Sequence, residues 1–282
     1  MTVRPLTELQ ELQKCLDLQR EAFGWAEIDL LPRRFLVVLG HIGGLVLGAF
    51  DGDRLVAFLN AVPGIRGRMP YWHSHMLAVS KDYWNSGVGT QLKLAQRDEG
   101  VKRGLRLIEW TFDPLESKNA YLNIAKLGVI IRRFYANHYG ETTGVRQRGM
   151  DSDRVIAEWW IDEGELASDH PGRSLQSRPP LLYQEGSYDA RRAGSPPDTG
   201  GVARSAGVVT PTQDSVRRVV IPADIQALKN QSLELARDVQ KRVREQFLQN
   251  IADDYFVADF KRGSETSEYI FIPGASRVHK TD

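Results

Sequence analysis

The chain has 282 residues, 41% of them hydrophobic and 26% charged, with a formal net charge of +1. That size allows one large packed domain or two small ones, and a charge near zero gives no broad pull towards nucleic acid or an anionic membrane. One cysteine, Cys15, excludes an intrachain disulfide. No apolar run reaches about 18 residues, so no membrane span is expected, and with no basic-then-apolar start the cytoplasm is the expected compartment.

Residues 3–6 form a short strand candidate. Residues 7–10 read Thr-Glu-Leu-Gln, a capping box for a helix striped by Leu9, Leu12, Leu16 and Phe23 and stopped at Gly24. A second helix begins near Pro32. Residues 44–50 and 55–62 are strands joined by the hairpin signal Asp51-Gly52. A central strand runs over 73–79, and its glycine turn opens a helix carrying Val88, Leu92 and Ala95. Residues 105–112 form a strand reached through that helix, so parallel to its predecessor. A helix over 119–127 ends at Gly128, and residues 129–134 and 154–161 close as an antiparallel pair.

Beyond Ile161 the composition changes. Residues 167–215 are rich in Pro, Gly, Ser and Arg and read as a linker or wrap. A strand at 217–221, one long helix from Pro222 and a hairpin of 255–260 with 269–272 follow. This β-α-β-β piece is marginal for folding alone, so it is expected to pack on the first domain or on a partner subunit. The domains are thus 1–166, 167–215 and 216–282.

The turn Asn85-Ser86-Gly87-Val88-Gly89-Thr90 offers free main-chain amides at the positive end of a helix dipole, an anion site at which glycine admits a diphosphate closely. His73 and His75 lie two apart on a strand and so share a face, and imidazole is the side chain that titrates nearest neutrality. A protonated amine costs about 4 kcal/mol to deprotonate at pH 7, so a base there has a use. Metal ligation is not expected, since no cysteine or third histidine is near in sequence. Glu109 is the alternative base, or an ion-paired carboxylate.

The order of elements over residues 1–162 resembles the GNAT superfamily of acetyl-CoA-dependent N-acetyltransferases, and the segment from Trp110 to Gly128 resembles a bacterial group within it. The resemblance implies an α/β (α+β) GNAT fold. In that fold a mixed central sheet with splayed parallel strands is flanked by helices, here with the C-terminal β-α-β-β extension added. It implies acetyl-CoA as cosubstrate, an amine acceptor that the sequence does not identify, and no metal. A homodimer is a further expectation. The pyrophosphate signature Gln/Arg-x-x-Gly-x-Gly/Ala reads here Trp84-Asn-Ser-Gly87-Val-Gly89. Trp84 departs from it, with Lys81 and Lys93 as candidates to compensate. The resemblance also implies that Leu77, Val79 and Asn119 meet the pantetheine arm, although Asn119 is equally a helix cap. His73-Ser-His75 resembles the proton-relaying pair of arylalkylamine acetyltransferases. A main-chain amide near Leu77 would serve the carbonyl oxygen. The tyrosine that protonates the departing thiolate in this family falls on Ile124 here, so Tyr121 is the nearest candidate, with Tyr135 and Tyr139 as alternatives. The readings are therefore an acyltransferase, or a CoA-binding or regulatory module that has lost turnover. Trp25, Phe35, Trp72 and Trp110 suggest either an aromatic acceptor pocket or plain core.

Overall fold

The computed structural model describes residues 1–141, 149–161 and 216–274; the expected linker over 167–215 lies outside them. Ten strands form one sheet in the order β1-β2-β3-β4-β5-β7-β6-β9-β10-β8. The strands are β1 (Thr2–Pro5), β2 (Leu45–Asp51), β3 (Arg54–Arg66), β4 (Met69–Val79), β5 (Leu107–Phe112), β6 (Ile130–Tyr135), β7 (Arg154–Trp160), β8 (Arg217–Pro222), β9 (Tyr255–Arg262) and β10 (Thr266–Pro273). Every neighbouring pair is antiparallel except β4 with β5. Those two are joined through α3 (Val88–Lys102), as a crossover between parallel strands requires.

The helices α1 (Leu9–Phe23) and α2 (Arg33–His41) lie on β2, β3 and β4. They bury Leu12, Leu36 and Leu39 against Phe58, Met76 and Ala78. α3 packs on the other face of the same strands. The sheet's larger core, from Leu45 through Trp110 to Phe271, runs unbroken into the C-terminal strands, where β9 pairs with β6 at Val257 and Ile131. The C-terminal piece is thus sheet and core continuous with the first 161 residues. Its helical part is two helices, not one. α5 (Ile225–Gln231) is capped by Asp224, and α6 (Leu233–Ala252) restarts after Ser232, whose extended backbone and hydroxyl cap the new helix.

Two local expectations are corrected. The Thr7–Gln10 box does not form: Glu8 is the N-cap of α1 and makes no side-chain cap bond. The helix α4 (Ser117–Ala120) continues as a π-helical segment, Tyr121–Lys126, in which Leu127 N–H donates to Leu122 O. A π turn is wider than an α turn, which alters the spacing argument for Tyr121. Among the described residues no helix is long and apolar enough to cross a membrane.

Candidate active site

Two breaks in regular pairing make the site. The parallel ladder between β4 and β5 holds only at Trp72↔Ile108 and His73↔Glu109, so the strands part beyond it. On the other side of β4, Asn60 pairs Met76 while the next residue, Ala61, pairs Ser74, which leaves His75 as the extra residue of a bulge. The bulge reverses the phase of the strand. Before it, Trp72 lies against Gly100 of α3, and Ser74 accepts from Lys93 of α3 at 2.8 Å. After it, Leu77 and Val79 face α3 instead, 3.4 and 3.9 Å from where a Cβ on Gly89 would stand. The bulge, and not the two-residue period, therefore sets the relation of His73 to His75, whose rings lie 6.3 Å apart and tilted by 45°.

The turn at the end of β4 is open. Asn85 through Gly87 are exposed. Asn85 and Gly87 hold φ of 62° and 87°, a left-handed backbone that asparagine and glycine tolerate. Among the described residues, the amides of Asn85, Gly87, Gly89 and Thr90 donate to no protein acceptor; Ser86 donates to Tyr83 O, and Val88 only approaches the Ser86 hydroxyl, at 3.5 Å. Orphan amides at a helix N-terminus suit an anion. Trp84 stands beside this turn, its indole N–H donating to Val79 O at 2.9 Å.

Neither lysine takes up the role open at Trp84 through a contact with the turn. Lys81 is exposed, and its main-chain amide is held by Glu21. Lys93 is buried within the core, 3.5 Å from the Trp110 ring centroid, and burial pushes its pKa well below the usual lysine value. Asn119 is exposed inside the first turn of α4; Glu116, not Asn119, is the cap.

The histidines border a charged cluster on the sheet face opposite α3. Glu109 receives Arg133 at 2.7 Å and a close Arg66, and His73 Nδ1 lies 3.8 Å away. Burial alone would raise the Glu109 pKa, but His73, Arg133 and Arg66 hold it at about 2. A carboxylate so held is no general base, and the ion-paired reading applies. Its neighbour Glu158 lies 3.2 Å from Arg133 and 3.9 Å from Arg66. His75 is exposed on one side, while the protein packed on its other side, and then His73, lower its pKa below the usual imidazole value.

The tyrosines separate clearly. Tyr121 is turned to the C-terminal hairpin: its ring is 6.0 Å from the Arg262 guanidinium, and it shares a surface pocket with Asp224, Gly263 and Ser264. The π turn accounts for this, because it removes the register that would align Tyr121 with Ile124. Ile124 itself is buried core. Tyr139, by contrast, reaches β5: its hydroxyl is 2.9 Å from Thr111 Oγ1, two residues from Glu109. His138 lies edge-on beside it at 4.5 Å, and its pKa is lowered by burial, then by Arg154 and His73. This loop is fastened from the C-terminal side. Arg244 of α6 binds Asp151 and Asp153; Asp153 accepts from Asn137 N–H, and Ser152 from Tyr139 N–H.

Reasoning from sequence did not find Arg66, Arg132, Arg133, Glu158 or His138. The signal was present for three of them: Arg132-Arg133 interrupts an apolar strand, and Glu158 does the same in β7. Of the four aromatics offered as pocket residues, Trp72 and Trp110 are core, Trp25 stacks on Phe23 at 4.3 Å, and Phe35 packs with α1.

Residues 12–127 match the acetyltransferase (GNAT) family. No curated protein matches the sequence. Among solved structures, the ribosomal-protein-S18-alanine N-acetyltransferase of Escherichia coli is 19% identical, over 57% of this chain and 94% of that one, with a TM-score of 0.45. The ribosomal-protein-alanine N-acetyltransferase of Brucella melitensis is 16% identical, over 57% and 100%, with a TM-score of 0.48. An aminoglycoside 6'-N-acetyltransferase complexed with coenzyme A is 17% identical, over 57% and 97%, with a TM-score of 0.43.

Proposed function

We infer that this protein, which carries a GNAT acetyltransferase domain over residues 12–127, moves an acetyl group from acetyl-CoA to an amine by direct attack in a ternary complex. The observation that carries the reading is the exposed turn with four unclaimed amides at the mouth of the strand cleft. Those amides suit a diphosphate, and the cleft, where β4 lacks its parallel partner, leaves main-chain groups for the pantetheine amides. Leu77 and Val79 line it.

In this reading His75, neutral at pH 7, takes the proton from the attacking amine, while His73 steadies the site through Glu109. The nitrogen bonds to the carbonyl carbon, the carbon–sulfur bond breaks, and the thiolate takes a proton from Tyr139. A main-chain amide beyond the bulge, near Leu77, donates to the carbonyl oxygen as charge develops. Tyr121 has no part in the step. The test is steady-state thiol release from acetyl-CoA with a panel of amines. Release that depends on amine and on His75 supports transfer. CoA binding without release for any amine supports instead a module that has lost turnover, which Ile124 and Trp84 favour.

A further inference from the structure

Arg132 and Arg133 sit where the ladder of β6 with β7 shifts, between Ile131 and Phe134. Both guanidiniums approach Glu158. Arg133 is well paired, to Glu109 and Glu158. Arg132 is not. Glu158 Oε2 is 4.0 Å from its guanidinium, beyond hydrogen-bond reach, and its Nε is buried without a hydrogen-bond partner. Its guanidinium carbon lies 5.7 Å from the Phe256 ring centroid. A guanidinium carries five donors, and among the described residues this one makes no side-chain hydrogen bond. Burial opposes its charge first; Glu158 and, more weakly, Asp254 support it, and Arg66 and Arg133 repel it. Arg66 and Arg133 take up Glu109 and Glu158 at closer range than Arg132 does, and Asp254 acts on Arg132 only through its charge.

The cluster is contiguous with the histidines. Contacts run from Arg132 to Glu158, Arg133, Glu109 and His73. His73 pairs opposite Glu109, and Glu109 opposite Glu158. Two strand spacings of about 4.8 Å therefore put Glu158 about 10 Å from His73 across the sheet. A planar fork with no carboxylate in hydrogen-bond reach fits a bidentate anion.

We propose that the acceptor is an amine that also bears a carboxylate, about 10 Å from the reacting nitrogen, and that Arg132 binds this carboxylate. The proposal deepens the acyl-transfer reading and, for the amine end, rests on it; the carboxylate end can be tested apart.

One arm measures kcat/KM by thiol release for ω-aminooctanoate against octylamine, in the wild type, Arg132→Gln and Arg132→Lys. The wild type should prefer the amino acid by about 10- to 100-fold, the worth of a charged hydrogen-bonded pair. Arg132→Gln should erase the preference and Arg132→Lys should keep part of it. Equal use of both amines by the wild type, or a preference that survives in Arg132→Gln, overturns the proposal and leaves acyl transfer standing. The second arm needs no turnover: octanoate is titrated into each protein and the melting temperature followed. Stabilisation lost in Arg132→Gln supports the carboxylate site even if no amine releases thiol; equal stabilisation of both proteins overturns it. Should Arg132→Gln fail to fold, Arg132→Lys serves in both arms, since it keeps a charge and loses the fork.

Discussion

Substituting Gly89 separates cofactor binding from folding. Gly89 lies in the first turn of α3, and a Cβ there would meet only Leu77 at 3.4 Å and Val79 at 3.9 Å, which is ordinary contact. Gly89→Ala should therefore fold, and gain about 0.5–1 kcal/mol because alanine favours a helix over glycine. It should still bind CoA. Gly89→Trp adds a ring over the amides of Gly87, Gly89 and Thr90, none of which has a protein acceptor. Each hydrogen bond to a charged group is worth about 1.5–3 kcal/mol, so losing two would weaken CoA binding by about one hundred- to ten-thousand-fold. Calorimetric titration with CoA gives the affinity, and thermal melting with circular dichroism gives the fold. A folded Gly89→Trp protein that binds CoA as the wild type does would refute the cofactor site.

If His75 is the base, kcat/KM must fall as pH drops through its pKa, which lies below the usual imidazole value because of burial and His73. In His75→Gln that acidic limb should vanish along with about 10²- to 10⁴-fold of rate; a variant with the limb intact would rule His75 out. Glu109 has a depressed pKa, so its stabilisation is full above the unfolded carboxylate value and is lost as pH falls towards about 2. The shift from 4.5 corresponds to about 3 kcal/mol. Glu109→Gln should lose most of that at pH 7 and show a flatter acid-unfolding curve between about pH 5 and 2; an unchanged curve would contradict the pairing. Arg244→Ala frees Asp151 and the buried Asp153, which hold the Tyr139 loop. It should raise KM for the amine with CoA affinity unchanged, and equal KM values would show that α6 does not steady the acceptor side.

Most elements were legible because their signals are local. Asp51-Gly52 gave its hairpin, Gly24 its helix stop, and the alternation of 73–79 its strand. The open turn between β4 and α3 was legible too, from its two glycines between a strand and a helix. What failed was long-range or depended on a single inserted residue. The bulge at His75 is set by β3 across the ladder, and nothing in the local pattern announces it. The π segment moves Tyr121 off the face that a 3.6-residue period assigns it. His138 was missed because its loop is held beside β5 by long-range contacts, among them α6, a hundred residues later in the chain. Lys93 was offered as a cation to compensate for Trp84 at the turn, but it faces inward because the face of α3 that carries it packs on the sheet, against Ser74 and Trp110.

The account depends on main-chain amides between Asn85 and Thr90 holding the diphosphate of acetyl-CoA. Amide hydrogen exchange, measured residue by residue with and without saturating CoA, tests it most directly. Protection that appears at Gly87, Gly89 and Thr90 on adding CoA is the predicted result. Saturation by CoA with exchange at those three amides unchanged would contradict it.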